Sequence, residues 1–302
     1  CRRTDAYLEA LEACAEQLNG KAVLDVGCGT GVLAITCARL GARVVYAVEA
    51  SEMATHAEQI VQANGRADIV KVLQGRVEDI ELPEAVDVIV SEWMGCLLLY
   101  EAMLDSVVWA RDRWLKPGGL MLPSRARIWL GAYRDEEMWR ERVSFWEKVH
   151  GIDMSCLKGK AQEELTRKPL IGDALPENIM SRASCIADLD LSHVLPSDLQ
   201  HLSSPFEMTS HVSALFVGFV GYFDVELCKG MWLSTAPENE PTHWQQVIML
   251  WDEPWEVKQD ERLEGEVWIS QNDGNRRCLD VRIRCHGNGN QRDKVFTLDT
   301  TC

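Results

Sequence analysis

The sequence predicts an α/β fold in two parts, a doubly wound parallel sheet followed by an antiparallel sandwich or barrel. The first part is indicated by a strand at 22–26 that runs through a glycine-rich loop at 27–31 into a helix, which is the nucleotide-binding arrangement of a doubly wound sheet. Strands and helices then alternate as far as residue 122. The second part is indicated by strict apolar–polar alternation at 279–285, the pattern of a strand with one buried face.

Composition limits the class of protein. The 302 residues are 46% hydrophobic and 26% charged, which is ordinary for a globular chain with one large domain or two of normal size. The formal net charge of −16 disfavours nucleic acid as a direct partner, because phosphate contacts need a basic face. The same charge would steer a basic peptide or protein toward the surface, although it also serves simple solubility. No apolar run approaches the roughly 18 residues of a membrane span.

The cysteines indicate a reducing environment. There are 11 of them, an odd number, and none forms a CxxC pair. This spacing argues against a disulfide framework and against a structural zinc site, so no metal is expected. The cytoplasm or the nucleus is the expected location, and no secretory signal is recognisable after Cys1.

The first elements predict a ligand at the glycine-rich loop. An amphipathic helix is predicted at 5–18, followed by the strand at 22–26 and a helix at 32–40. Glycines let a ligand approach the backbone, and the helix N-terminus favours negative charge. The spacing is G-x-G-x-G, and the dinucleotide fingerprint requires a glycine where this chain has Val32. An NAD-dependent reductase is therefore a weaker interpretation.

Two glutamates follow the next strands. Glu49 ends a strand at 43–48, where a carboxylate can accept hydrogen bonds from both ribose hydroxyls of a nucleotide. Ser51 is expected to cap the following helix. Past a third strand at 68–73, Glu78 would lie at the same rim, where a carboxylate can meet an adenine amino group. The alternative for both glutamates is a solvated surface position.

The stretch 86–101, VDVIVSEWMGCLLLYE, is the centre of the functional hypothesis. Its first five residues predict a strand buried on both faces, and Glu92 and Glu101 flank a turn at Met94-Gly95. Two carboxylates held together repel and need a cation between them, and the planar guanidinium fork can bond both. We therefore predict that this loop holds an arginine. The alternative is that both glutamates are simply solvated.

The remaining elements complete the two parts. A helix at 102–115, a turn at 116–119 and a strand at 120–122 are predicted to finish the parallel sheet. Beyond it, the sequence predicts a strand at 125–133, a helix carrying Trp139, Val143 and Trp146, an irregular polar segment at 151–182, and β-rich sequence from 206 onward. His243 precedes a strand, and a lone histidine of this kind is more often structural than functional.

A set of motifs resembles the protein arginine methyltransferases, specifically the type I enzymes that form asymmetric dimethylarginine. They are the cofactor loop at 23–31 (VLDVGCGTG), the ribose motif at 48–51 (VEAS), the double-glutamate loop at 91–101 (SEWMGCLLLYE) and the THW loop at 242–244. Residues 151–157 (GIDMSCL) also look like this family, most of all its sixth member. The resemblance spans nearly the whole chain.

The resemblance implies a Rossmann-like domain at 1–123 that binds S-adenosylmethionine, a β-barrel substrate domain at 124–302, and an inserted dimerisation arm at 148–182. It also implies a homodimer that acts on arginine-rich proteins, such as glycine-arginine-rich or histone-like tails, with no direct nucleic acid and no membrane. The cofactor-binding residues that it implies are Arg3, Asp25, Gly27, Gly29, Glu49 and Glu78. The catalytic pair would be Glu92 and Glu101, and the substrate-binding residues Met94, His243 and Trp244.

The chemistry implied by the resemblance centres on the glutamate pair. A guanidinium is cationic at neutral pH and has no free lone pair. Glu92 and Glu101 would clamp it, draw positive charge from the attacking nitrogen and align that nitrogen with the sulfonium methyl, leaving S-adenosylhomocysteine. Either Glu101 or His243 would receive the proton. Trp244 and Trp93 would wall the arginine channel, and Met94 would crowd the monomethylated product.

The sequence also departs from the family. Family members carry a helix with a YFxxY motif and an acidic residue upstream of the position of Arg3, and the sequence here begins at Cys1. Cys28 in the cofactor loop is expected to make the site sensitive to thiol reagents. Two rival functions stay open, a methyltransferase for a small molecule or nucleic acid and a non-catalytic module that holds basic tails on an acidic face.

Overall fold

The structure, a computed structural model, describes residues 2–299, so the chain ends of the predicted domains at Cys1 and Cys302 lie outside it. The first half alternates helices and strands. Its elements are α1 (Arg2–Ala13), α2 (Ala15–Leu18), β1 (Ala22–Val26), α3 (Val32–Arg39), β2 (Val44–Glu49), α4 (Met53–Ala63), β3 (Val70–Gln74), β4 (Val86–Val90), α5 (Met103–Trp114) and β5 (Leu115–Leu122).

These strands form one parallel sheet in the order β3-β2-β1-β4-β5. Every residue of β1 is buried, as is nearly all of β4, because helices cover both faces and leave these apolar runs no contact with water. The chain moves outward from β1 to β3 and then returns to β4 on the other side of β1. The sheet is therefore doubly wound, and its switch point lies between β1 and β4, where ligands of such sheets bind.

The second half is mostly antiparallel. Its elements are β6 (Arg125–Tyr133), α6 (Glu136–Arg142), α7 (Lys158–Thr166), β7 (Leu170–Gly172), β8 (Ser184–Asp190), α8 (Pro196–Gln200), β9 (His201–Thr209), β10 (Ala214–Cys228), β11 (Met231–Ser234), β12 (Gln246–Val257), β13 (Arg262–Gln271), β14 (Leu279–Gly287) and β15 (Asn290–Leu298). One sheet has the order β7-β12-β10-β6-β8, with β11 beside β10, and the other has the order β15-β14-β13-β9.

The two antiparallel sheets form a barrel around an aromatic core. The two sheets adjoin each other on both sides, where edge strand β8 lies beside β9 and β12, next to the short edge strand β7, lies beside β15. Phe216 lies in edge-to-face contact with Phe219 and Trp255, and Phe219 also meets Phe206 from the other sheet. Such rings fill the space between the sheets and contribute about 0.5–1.5 kcal/mol per pair beyond their buried area. The predicted fold class, a Rossmann-like domain followed by a β-barrel, is confirmed.

Several element predictions were wrong in detail. Residues 116–119 lie inside β5 and not in a turn, because Lys116 bonds Asp87 of the neighbouring strand at 2.9 Å and holds the segment to the sheet. The helix expected to reach Trp146 ends at Arg142. The segment 151–182, expected to be irregular, contains α7 and β7. Strand β7 pairs with β12, and α7 packs against the same strand. Among the described residues, no helix has the length and apolar content to cross a bilayer.

Candidate active site

The glycine-rich loop follows β1 and adopts backbone angles that favour glycine. Gly27, Gly29 and Gly31 have φ angles of 72°, 54° and 81°. A Cβ atom on Gly27 would lie 2.2 Å from Cε of Met103. The conformation of the loop therefore requires residues without side chains. Two adjoining cavities border the loop, and Gly27 lines both of them.

The first cavity, of about 360 Å³, lies beyond the carboxyl ends of β1 and β2 and includes Glu49 and Glu78. Glu49 accepts hydrogen bonds from the backbone N–H groups of Gly29 and Ser51, both at 2.9 Å. Burial raises the pKa of Glu49, but these hydrogen bonds outweigh it and leave the pKa below its ordinary value. Glu49 is thus a fixed, ionised acceptor in the position predicted for a ribose site.

Glu78 lies in a short 3₁₀ turn at the same rim. The hydroxyl of Ser106 donates to its Oε1 at 2.6 Å, and Arg76 lies 3.5 Å from its Oε2. Burial opposes ionisation, but Ser106 and Arg76 together lower the pKa of Glu78. Ser106 was not predicted, because nothing local in the helix sequence indicates contact with a residue 28 positions earlier.

Asp25 lies under the glycine loop and is 1% exposed. Its Oδ2 accepts the N–H of Ala34 at 3.1 Å, whereas its Oδ1 is buried without a hydrogen-bond partner within residues 2–299. Burial raises its pKa to about 7, and the charge of Glu49 adds to the effect. A buried acceptor oxygen of this kind fits a donor group on a bound ligand.

Cys28 does not present a reactive thiol. Its side chain is buried, and burial raises its pKa well above the ordinary value, with further increases from the charges of Asp25 and Glu49. A thiolate is the reactive form, so the expected sensitivity of this position to thiol reagents is not supported by its surroundings. The nine cysteines that the structure describes are all free.

The second cavity, of about 280 Å³, lies between α1 and the glycine loop and reaches Glu92. Arg3 and Tyr7 from α1 line it. Arg3 Nη1 donates to Glu92 Oε2 at 2.9 Å and lies 3.3 Å from Nε2 of His243. Arg3, which was predicted to bind the cofactor, therefore contacts both the predicted catalytic residue Glu92 and His243 of the THW loop.

Glu92 is largely buried at the end of β4. Burial raises its pKa, and the negative charge of Glu101 raises it further, against the lowering effects of Arg3 and of the Met94 N–H. Oε1 of Glu92 is buried and has no hydrogen-bond partner in the described part of the chain, so one acceptor of this carboxylate is unsatisfied.

Glu101 lies at the other end of the loop, in contact with the barrel. Its N–H donates to the carbonyl of Arg277 at 2.8 Å, and Nη2 of Arg277 lies 3.3 Å from its Oε1. The loop between the two glutamates is strained, because Leu97, Leu98, Glu101 and Ala102 all have positive φ angles. The sequence did not predict Arg277, which belongs to a hairpin loop with no local feature that indicates a role.

The THW loop supports the double-glutamate loop from the barrel. Trp244 is 3% exposed and its Nε1 donates to the Met94 carbonyl at 2.8 Å. The His243 ring lies 4.0 Å from the Trp244 ring, between centroids. Burial lowers the pKa of His243, and Arg3 lowers it further, so His243 is neutral at neutral pH and can accept a hydrogen bond from Arg3. Trp244 and Trp93 are both buried, and their role as walls of an arginine channel stays a prediction.

Family models match both halves of the chain. A model described as the arginine methyltransferase oligomerization subdomain matches residues 124–290, more than half of the chain. A model described as ribosomal protein L11 methyltransferase (PrmA) matches residues 2–123. The change from one model to the next coincides with the change from parallel to antiparallel strands.

Curated relatives and solved structures agree with these models. A probable protein arginine N-methyltransferase 6.1 from Oryza sativa subsp. japonica is 41% identical and covers 98% of this chain and 83% of its own length. Protein arginine N-methyltransferase 6 from Xenopus tropicalis is 41% identical, with 98% and 89% covered. The Trypanosoma brucei PRMT1 enzyme–prozyme complex with AdoHcy has a TM-score of 0.89 at 34% identity, covering 99% and 95%.

A second solved structure, Arabidopsis thaliana protein arginine methyltransferase 10, has a TM-score of 0.85 at 34% identity and covers 98% of this chain and 95% of its own. The likeness therefore extends through the parallel sheet, the barrel and the loops between them. With its paired glutamates beside a glycine-lined cavity, the chain belongs to the protein arginine N-methyltransferase family.

Proposed function

We propose that this protein transfers methyl groups from S-adenosylmethionine to arginine nitrogens of basic proteins, giving mono- and asymmetric dimethylarginine as type I enzymes do. The observation that supports this most is the position of Glu92, which lines the second glycine-lined cavity and shares one strained loop with Glu101. Glu92 has an unsatisfied buried oxygen, and a guanidinium is the cation whose planar donors fit such a carboxylate pair.

The residues around the cavities fit the proposed cofactor. Glu49 would accept the ribose hydroxyls and Glu78 the adenine amino group, while Asp25 offers its unpartnered oxygen to a donor. Arg3 would pair with the cofactor carboxylate, since it lines the second cavity. When bound, S-adenosylmethionine supplies an electrophilic methyl group and leaves as S-adenosylhomocysteine, the ligand named for the related Trypanosoma brucei complex.

The two glutamates would bind and polarise the substrate. Their charges hold the guanidinium and draw its positive charge away from the nitrogen that attacks, and the fixed loop orients that nitrogen. Nε2 of His243 faces Arg3 at 3.3 Å, which occupies the nitrogen that would take a proton. Glu101 is 45% exposed at its side chain, so we assign it the proton and its release to solvent.

The proposed partners follow from charge and exposed apolar surface. The net charge of −16 favours arginine-rich substrates, such as glycine-arginine-rich or histone-like tails, in the nucleus or cytoplasm. We further propose a homodimer through the arm, where Ile152 and Leu157 are exposed, as is Phe145 just before it. The family model for this half is described as an oligomerization subdomain, and the Trypanosoma brucei relative forms a heterotetramer.

The test is methyl transfer to an arginine-rich peptide. The full-length protein, with methyl-labelled S-adenosylmethionine and the peptide, should label arginine side chains, which mass spectrometry locates. Glu92→Gln should reduce the rate by about 100-fold, because one charge that stabilises the transition state is lost. Glu81→Gln, at an exposed glutamate (77%) away from the cavities, is the matched control and should keep full activity.

Other outcomes distinguish the rivals. Label on lysine, or no label on any protein or peptide, would contradict the proposed function. Peptide binding without cofactor consumption, weakened by Glu92→Gln in a salt-dependent way, would indicate a non-catalytic acidic module. Transfer to a small molecule that survives Glu92→Gln would indicate the alternative class of methyltransferase.

A further inference from the structure

Tyr7 joins the cofactor side of the site to the substrate side. Its ring lines the second cavity together with Arg3 and Glu92, and its side chain is 2% exposed. Its hydroxyl contacts the segment that carries Glu92. It donates to the carbonyl of Ser91 at 2.9 Å and lies 3.5 Å from the sulfur of Met94, so α1 is bonded to both sides of Glu92 in the chain.

The segment that Tyr7 contacts is held from several directions. The hydroxyl of Ser91 donates to the carbonyl of Val26 in β1 at 2.7 Å. The Met94 carbonyl accepts the indole N–H of Trp244 at 2.8 Å, and the Met94 N–H bonds the Glu92 carboxylate. Glu92 therefore lies between two anchored residues, one tied to the parallel sheet and the other to the barrel, and Tyr7 touches both.

We propose that the Tyr7 hydroxyl is a positioning group for Glu92 and Met94, because it fixes where the Glu92 carboxylate and the Met94 thioether lie relative to the cofactor cavity. The inference rests on the proposed function and goes beyond it, because no motif in the sequence assigns Tyr7 a role. Tyr7 acts through Ser91 and Met94 and does not itself contact the reacting atoms. Its ring and its hydroxyl have separate tasks: the ring forms the cavity wall, and the hydroxyl fixes the loop.

This division makes a testable kinetic signature. A ring that stays in place keeps the wall of the cofactor cavity, so cofactor binding should change little when the hydroxyl is removed. A loop that has lost one anchor places Glu92 less accurately. This weakens the stabilisation of the transition state more than it weakens binding of the substrate in its ground state. The loss should therefore appear in kcat and not in the KM for cofactor.

The experiment uses Tyr7→Phe in the full-length protein. We expect kcat to fall by about 10-fold, the effect of one lost buried hydrogen bond on a barrier. The KM and Kd for cofactor should remain within about twofold, because the aromatic wall is retained. Tyr46→Phe is the matched control: Tyr46 donates to Glu84 at 3.3 Å, outside the site, and its loss should leave kcat unchanged.

A second variant approaches the same segment from the barrel. Trp244→Phe removes the N–H that anchors the Met94 carbonyl and keeps an aromatic ring, so it should give the same fall in kcat with unchanged cofactor affinity. Thermal unfolding of each variant establishes that it is folded before its kinetics are compared. Both variants are measured beside wild type on the same arginine-rich peptide.

The inference fails if Tyr7→Phe keeps the wild-type kcat while the wild type methylates arginine normally. It also fails if cofactor affinity falls as much as kcat, which would make Tyr7 a wall of the cofactor site, or if Tyr46→Phe shows an equal loss, which would make the effect one of general stability. A wild-type protein without arginine methylation would instead overturn the proposed function.

Discussion

Asp25 is the residue whose surroundings depart most from those of an ordinary carboxylate. Burial raises its pKa to about 7, whereas an unfolded aspartate titrates near about 3.9. Between these values the folded protein binds the proton more tightly than the unfolded chain does. The stability that the protonated form contributes is therefore present at low pH and is lost as pH rises from about 4 to 7.

This predicts a pH-dependent effect of Asp25→Asn. Asparagine keeps the acceptor for the Ala34 N–H and cannot ionise. The stability of wild type relative to the variant should fall by roughly 2–4 kcal/mol between about pH 4 and pH 7.5. Urea unfolding of the cofactor-free proteins across this range measures the difference, and a difference that stays constant with pH would contradict the prediction.

At the residue scale, the topology of the chain determines which predicted side chains lie close together. Glu49, Glu78 and Glu92 all follow strands of one parallel sheet, and the carboxyl ends of such strands meet at one edge. Their placement around the cavities could therefore be predicted. Tyr7 and Arg277 could not, because their contacts depend on how α1 and the barrel pack on the loop.

The double-glutamate loop shows how an element depends on its neighbours. Its positive φ angles are unfavourable for residues with side chains, and the hairpin between β13 and β14 holds its end through Arg277. Arg277 also orients the Glu101 carboxylate. The barrel thus stabilises one half of the proposed catalytic pair, whose other half, Glu92, is held by the parallel sheet.

Arg277→Gln tests this contact, because it removes the guanidinium and keeps the backbone carbonyl that binds Glu101. The ion pair is exposed and weak, so the loss of Glu101 orientation should outweigh the removal of a competing cation and reduce kcat/KM for peptide by a modest factor of about three. Arg276→Gln is the control, since Arg276 pairs with Asp105 at 3.0 Å and makes no described contact with Glu101. Equal losses in the two variants would argue against a specific role for Arg277.

At the element scale, the prediction of irregular structure at 151–182 was wrong for a physical reason. Helix α7 is stabilised less by its own sequence than by contacts at its end, where Lys294 of β15 donates to the carbonyl of Thr166 at 2.7 Å and to that of Leu250 at 3.0 Å. Thr166 in turn donates to Asp252 at 2.7 Å. Local propensity does not contain such long-range bonds.

On the scale of the whole molecule, three exposed apolar side chains are concentrated in one segment of the chain. Phe145, Ile152 and Leu157 lie near one another in the chain, on the segment that leads into α7. Leu195 is as exposed, at 56%, but lies at the start of α8. A cluster of apolar side chains favours a protein interface more than an isolated one does, which supports the proposed homodimer.

Ile152→Asp tests the interface at this scale. Ile152 is 59% exposed, so the substitution should leave the fold intact, and a charge placed in an apolar interface should raise the dimer dissociation constant by at least about tenfold. Leu195→Asp is the matched control and should leave the dimer unchanged. Sedimentation measures both, and an unchanged dimer in Ile152→Asp would place the interface elsewhere.

The large-scale division of the chain was accessible from sequence, because hydrophobic periodicity changes near Pro123 when parallel strands give way to antiparallel ones. The order of strands in the barrel was not accessible. Pairing of β10 with both β6 and β12 joins segments far apart in sequence, and alternation along a strand identifies its buried face without identifying its neighbours.

Each of the two glutamates already bonds an arginine of the chain itself, Arg3 at Glu92 and Arg277 at Glu101. An incoming arginine that bonds both glutamates then competes with these two internal cations. Replacing internal ion pairs by new ones adds little electrostatic free energy to binding. Most of the affinity for a substrate therefore has to come from contacts with the polypeptide that flanks the target arginine. Free arginine, which has no such flanks, should compete poorly even at concentrations far above those of protein substrates.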